Sequence, residues 1–192
     1  MKNRETYEIR LSGTGGQGLI LIGITLAEAA AIYDGKNAVQ TQSYGPEARG
    51  GASRSDVIIS NLEIDYFIVS KPDILLAMSQ EACDRYLGDT KEDGLVLVDS
   101  TYVQNIPSTT RQVFSLPLTK MARDLTGKGI VANVLALGVL TSLTKVVAQE
   151  AIAKAVSKNV SKQNYEMNLQ ALREGFQIGD QAIFVGKKDE GL

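Results

Sequence analysis

Apolar and polar residues alternate at the start of the chain, Tyr7, Ile9 and Leu11 against Glu8, Arg10 and Ser12. That is the period of a half-buried strand. Residues 19–33 are rich in Ala, Leu and Ile and are closed by Asp34-Gly35, which predicts a helix with a stop signal. Residues 38–42 read as a second strand, giving a strand–loop–helix–strand beginning. Residues 43–55 are polar and glycine-bearing with little periodicity, the pattern of a long loop. Strands are predicted at 56–60, 73–78, 94–98 and 113–116, with a turn at 61–63. Ser79 is placed to cap a helix through Leu87, because its oxygen accepts an otherwise orphaned N–H of the first turn. A short helix at 119–125 closes on Gly127, and residues 130–144 form the most apolar stretch, expected as a buried helix. Amphipathic helices follow at 149–157 and 161–178, the second with Gly179 in the position that a C-cap favours. The tail after Gly186 is expected to fray.

Strands alternating with helices predict an α/β fold: a layered sandwich on a mixed, largely parallel sheet, with a glycine-rich β–α loop near the N-terminus. The helical C-terminal portion spans about 130–180.

The chemistry available to the chain is narrow. Its 192 residues contain no histidine and one cysteine, Cys83. The most frequent general base and metal ligand is therefore absent, and neither an internal disulfide nor an iron–sulfur cluster held by this chain alone is feasible. Cys83 lies in a predicted helix with no histidine to activate it, so a small buried residue is the expectation. A net charge of −2 argues against nucleic acid, which demands a basic face. No apolar run has the length of a membrane span, and the polar first residues carry no signal-peptide pattern. A cytoplasmic location is the expectation. Asn133, a polar amide in the apolar helix, needs a partner on a neighbouring loop or a ligand.

Two motifs carry the functional argument. Gly13-Thr14-Gly15-Gly16-Gln17-Gly18 has the G-x-G-x-x-G spacing between a strand and a helix. Glycines there permit a tight turn and close approach of a phosphate to the helix N-terminus; a plain packing turn is the other reading. The predicted second strand ends Gln40-Thr41-Gln42-Ser43, without the acid that holds a dinucleotide ribose. No lysine follows Gly18 as a P-loop requires. The second motif, residues 43–56, contains Arg49, Gly50, Gly51, Ser53 and Arg54. Its arginines offer planar donor forks to phosphate or carboxylate, and the glycines let a ligand or partner chain come close. The alternative is an exposed loop whose arginines pair with Glu47 and Asp56. Asp99-Ser100 and Gly127-Lys128-Gly129 admit either a site or an ordinary turn.

The run QTQSYGPEARGGASRSDVIIS, with GTGGQG upstream, resembles the gamma subunit of the 2-oxoacid:ferredoxin (acceptor) oxidoreductases, most closely the 2-oxoglutarate type. The resemblance covers about residues 5–180 and implies one gamma-subunit domain over residues 1–192. It implies a complex that oxidises a 2-oxoacid with thiamine diphosphate, Mg and iron–sulfur clusters, forms an acyl-CoA and reduces ferredoxin or a related acceptor. The chain lacks paired cysteines and a Gly-Asp-Gly opening of a thiamine-diphosphate site, so both groups are expected on sister alpha, beta and delta subunits. By the same likeness this chain is non-catalytic, and Gly13 to Gly18, Arg49, Gly50, Gly51, Ser53 and Arg54 are the candidates for contacting coenzyme A or an adjoining subunit. A homodimer of the isolated chain is one further option. The rival readings are a stand-alone nucleotide-binding α/β oxidoreductase and a scaffold domain.

Overall fold

The computed structural model describes residues 4–43 and 52–189, with side chains through Ala182. Its described residues form one sheet from β1 (Thr6–Thr14), β2 (Asn37–Ser43), β3 (Ala52–Ser60), β4 (Ile74–Ala77), β5 (Leu95–Asp99) and β6 (Gln112–Leu116). The spatial order is β2-β3-β1-β4-β5-β6. β1, β4, β5 and β6 run parallel, whereas β3 is antiparallel to both β1 and β2. The helices are α1 (Leu19–Glu28), α2 (Gln80–Tyr86), α3 (Leu118–Thr126), α4 (Ala132–Thr144), α5 (Gln149–Asn159) and α6 (Tyr165–Asp189).

β4 is buried at every position because both sheet faces are covered, as parallel strands require. Ile74, Leu76, Leu95 and Leu97 face α1 and α3 to α6, while Leu75, Ala77, Val96 and Val98 face Ala82 and Cys83 of α2. The result is a three-layer α/β sandwich on a mixed, mostly parallel sheet.

Several local expectations hold. Ser79 caps α2, its side chain accepting from the Ala82 N–H at 3.2 Å, and Gly127 ends α3 in the left-handed region at φ 72°. Others are corrected. β1 is central rather than half-buried, and Arg10 and Ser12 are buried with Ile9 and Leu11. Of the expected 43–55 loop, Ser43 belongs to β2 and Ala52 to Ser55 belong to β3, while residues 44–51 lie outside the described residues. The strand–loop–helix–strand beginning is present, with β3 lying between β2 and β1 in the sheet. The first helix ends in a π-helical turn, Ala29–Tyr33.

α4 is buried along all of its 13 residues, so nothing on it has an amphipathic period to display. Its polar side chains are satisfied within the layer: Thr141 and Thr144 donate to the carbonyls four residues earlier, at 2.7 Å each. Gly179 does not end α6, which continues through it to Asp189. A Cβ on Gly175 would lie 2.3 Å from the Leu135 carbonyl, and one on Gly179 would lie 2.8 Å from that of Val139. These glycines let the α6 backbone lie directly on α4.

Candidate functional site: a crevice at the carboxyl edge of the sheet

β1 leads into α1 on one sheet face, and its neighbour β4 leads into α2 on the other. Diverging connections leave a crevice beyond the carboxyl ends of such strands, where open α/β sheets bind ligands. Two adjoining cavities occupy this place. One, of about 320 Å³, is lined by Gly16, Gln17, Tyr102, Thr119 and Arg123 among others. The second, of about 530 Å³, is lined by Thr14, Gly15, Gln17, Ser79 and Tyr102 among others.

The glycine motif forms the wall between them. Gln17 pins it by both ends of its amide, Oε1 accepting from the Thr14 N–H at 2.7 Å and Nε2 donating to the Met78 carbonyl at 3.0 Å. Its side chain is therefore a structural pin. A Cβ on Gly13 would lie 2.3 Å from Gln17 Oε1, which explains the first glycine. Gly16 and Gly18 have φ of 89° and 75°, a region that side chains enter at a cost. Gly15 and Gly16 have open space where a Cβ would stand. α1 has no side-chain cap at Gly18, so its first-turn N–H groups are left to solvent or a ligand. Asn133 finds the partner that its burial demands in the Gly18 carbonyl, at 3.3 Å.

Opposite the glycines stand Tyr102 and Arg123, neither of which belongs to a sequence motif. Arg123 Nη2 donates to the Tyr102 hydroxyl at 3.0 Å, and among the described residues no carboxylate lies within ion-pair distance of Arg123. The tyrosine is held by its turn: the Tyr102 N–H donates to the Asp99 carbonyl at 3.0 Å. Gln80 Oε1 accepts from the Gln104 and Asn105 N–H groups just beyond. The fully buried Asp99 carboxylate accepts from the backbone N–H groups of Thr101 and Thr119 and from the Thr119 hydroxyl. It thereby seats both the tyrosine turn and the start of α3. Arg123 and Tyr102 escape a motif search because 21 residues separate them from each other and more separate them from the glycines. Asp99-Ser100 and Gly127-Lys128-Gly129 were the sequence signals nearest to them, and Gly129 lines the first cavity.

Ser53 and Arg54 lie in β3, not on a loop. Ser53 registers with Gly13 and donates its hydroxyl to the Gly13 carbonyl at 3.1 Å. Arg54 Nε lies 3.4 Å from Asp56 Oδ2, and its guanidinium stands 5.8 Å from the Tyr86 ring centre. Asp56 also holds the buried Arg10 through two hydrogen bonds, of 2.8 and 3.0 Å. Arg49, Gly50 and Gly51 lie outside the described residues. The residues that bracket that segment, Ser43 and Ala52, are at the same sheet edge, and Ala52 registers with Thr14. Cys83 is fully buried, and burial raises its thiol pKa.

The sequence profile of the pyruvate ferredoxin/flavodoxin oxidoreductase family matches residues 8–178. The chain belongs to that family. It is 50% identical over 173 residues to 2-oxoglutarate synthase subunit KorC of Methanocaldococcus jannaschii, covering 89% of this chain and 92% of that one. A crystal structure of the keto/oxoacid ferredoxin oxidoreductase gamma subunit from Geobacter sulfurreducens PCA superposes with a TM-score of 0.84 at 50% identity, over 91% of this chain and 96% of that one. The 2-oxoglutarate:ferredoxin oxidoreductase of Magnetococcus marinus shares the fold at 20% identity and a TM-score of 0.79, the match covering 93% of this chain and 32% of that longer one. The family's other relatives include a pyruvate synthase subunit and ketoisovalerate oxidoreductase subunits. Family membership by itself thus spans several oxoacids.

Proposed function

We propose that this chain is the gamma-type subunit of a CoA-acylating 2-oxoacid oxidoreductase, with 2-oxoglutarate as substrate, succinyl-CoA as product and ferredoxin or a related acceptor taking the electrons. The observation that carries this reading is the 50% identity to a 2-oxoglutarate synthase subunit across nearly the full length of both chains. The whole chain acts as one gamma-subunit domain, in the cytoplasm, beside alpha, beta and delta partners.

Thiamine diphosphate, Mg and the iron–sulfur clusters belong to those partners. One buried cysteine and no histidine do not fit an iron–sulfur cluster. The described residues contain no group of three or more Cys, Asp or Glu arranged to hold a metal. No redox or decarboxylation step is assigned to this chain.

Its contribution is to coenzyme A. The crevice offers backbone N–H groups at Gly15, Gly16 and the start of α1, an unneutralised guanidinium at Arg123 and the Tyr102 ring. Phosphate oxygens suit the first two, and an adenine or pantetheine face suits the ring. Arg54, on β3 at the same sheet edge and paired to Asp56 at 3.4 Å, and Arg49, outside the described residues, are further candidates for contacting coenzyme A or an adjoining subunit. The stand-alone dinucleotide reading is disfavoured by topology. Such a site places an acid at the end of a strand adjacent to the first, whereas here β3 separates β2 from β1.

The deciding experiment is affinity purification of the tagged chain from its own cell. Retained proteins are assayed for thiamine diphosphate, iron and CoA-dependent oxidation of 2-oxoglutarate, with pyruvate and branched-chain oxoacids in parallel. Recovery of an active, cofactor-bearing complex supports the reading. A monodisperse chain without partners refutes it.

A further inference from the structure

On the far side of the helical layer, α5 and α6 enclose a groove of about 550 Å³ that no part of the crevice uses. Its floor is apolar: Tyr33, Ala153, Leu169, Leu172 and Phe176. Its rim is cationic, with Lys154 and Lys158 on α5 and Arg173 on α6, all three exposed. Lys158 is engaged by Glu28. Lys154 and Arg173 have no carboxylate within ion-pair distance among the described residues.

The spacing is informative. Leu169, Leu172, Arg173 and Phe176 fall at i, i+3, i+4 and i+7, one face of α6. Ala153, Lys154, Ser157 and Lys158 form the matching face of α5. The two helices therefore present an apolar trough with positive walls, and the chain as a whole carries net negative charge. Apolar anchors along one side of a helix fit such a trough, and acidic residues flanking them meet the walls.

We propose that the α5–α6 groove is the docking site for an acidic amphipathic helix of a sister subunit. Leucine-like anchors of that helix lie over Leu169, Leu172 and Phe176, and carboxylates pair with Lys154 and Arg173. This rests on the subunit reading above and adds to it the face through which the chain is held. Attachment at this face leaves the crevice of the glycine loop free for ligand.

The test is co-expression of the tagged full chain with its sister subunits, comparing wild type, the double variant K154E/R173E and the control K120E. Lys120 is an exposed cation on α3 outside the groove. Wild type is expected to retain the sister subunits, with recovery falling as salt is raised. The double variant is expected to retain at least tenfold less while melting at the wild-type temperature, and K120E to behave as wild type. A second variant, A153W, fills the groove without changing charge and is expected to reduce recovery as well. Retention by K154E/R173E at wild-type levels, or equal loss in K120E, overturns the groove while leaving the subunit reading intact. Failure of wild type to retain any sister subunit overturns both.

Discussion

Asn133 Nδ2 donates a 3.3 Å hydrogen bond to the Gly18 carbonyl, joining the first turn of α4 to the last residue of the glycine loop across 115 positions. A Cβ on Gly18 would lie 2.3 Å from the same nitrogen, at a φ of 75°. Gly18→Ala is therefore expected to cost about 1–3 kcal/mol by urea denaturation. Adding Asn133→Ala relieves the clash but not the backbone strain. Gly15→Ala, with open space and no positive φ, is expected to stay within about 0.5 kcal/mol of wild type. A rise in the KM for coenzyme A in that variant then reports ligand contact and not misfolding.

Arg123 is the cation that the crevice presents without an acid beside it. In the assembled enzyme Arg123→Ala is expected to raise the KM for coenzyme A about ten- to hundredfold, the loss of a charge-assisted contact. The KM for 2-oxoglutarate should stay level. Equal KM values for coenzyme A in variant and wild type remove Arg123 from the binding surface.

Asp56 holds Arg10, which is 2% exposed, stacks 4.9 Å from the Tyr86 ring and donates to the Val69 carbonyl at 2.5 Å. Removing its carboxylate leaves the buried guanidinium with only the half-exposed Asp89, 3.6 Å from Arg10 Nη1, as an acidic partner. Asp56→Ala is expected to destabilise by about 3–5 kcal/mol, read as a shift of the urea midpoint at constant slope. A change below about 1 kcal/mol would show that water or Asp89 replaces the partner.

Acid should loosen the seam between α1 and α5. Hydrogen bonding from Lys158 holds the Glu28 carboxyl below its ordinary value of 4.5, outweighing the opposing effect of burial. Because the folded value is the lower one, the stability from Glu28 is present above about pH 4.5 and is lost as pH falls through the folded value. Lys145 acts in the same direction on Asp180, whose ordinary value is 3.8. Lys158→Gln is expected to flatten the acid limb of the stability profile below pH 4.5. Identical profiles for the two proteins would contradict the pairing.

Much of the architecture was legible where local chemistry decides it. Ser79 and Gly127 mark helix ends because capping is settled within a few residues. The strand of residues 74–77 is legible because a run buried on both faces is apolar throughout. β3 was not fully legible, since Ser53 and Ser55 look like loop residues when read locally. Ser55 is fully buried and its hydroxyl accepts from Gln40 Nε2 at 2.8 Å, and space for it comes from Gly23 on α1. Gly179 misled for a related reason: its missing side chain serves α4, a contact invisible in its own helix. Of the site, the glycine wall was readable, while Arg123 and Tyr102 come together only through the seating of α3 by Asp99.

The complete burial of α4 has a consequence for synthesis on the ribosome. All six described strands and α1 have been made by Leu116, yet the rest of the sheet face bearing Ile9, Leu76 and Leu97 awaits α4, and α4 awaits α6. Until residue 165 and beyond leave the exit tunnel, the outer side of α4 has no helix to cover it. α6 therefore closes the first strand's core, so that core is sealed only after a segment more than 150 residues downstream of β1 has been made.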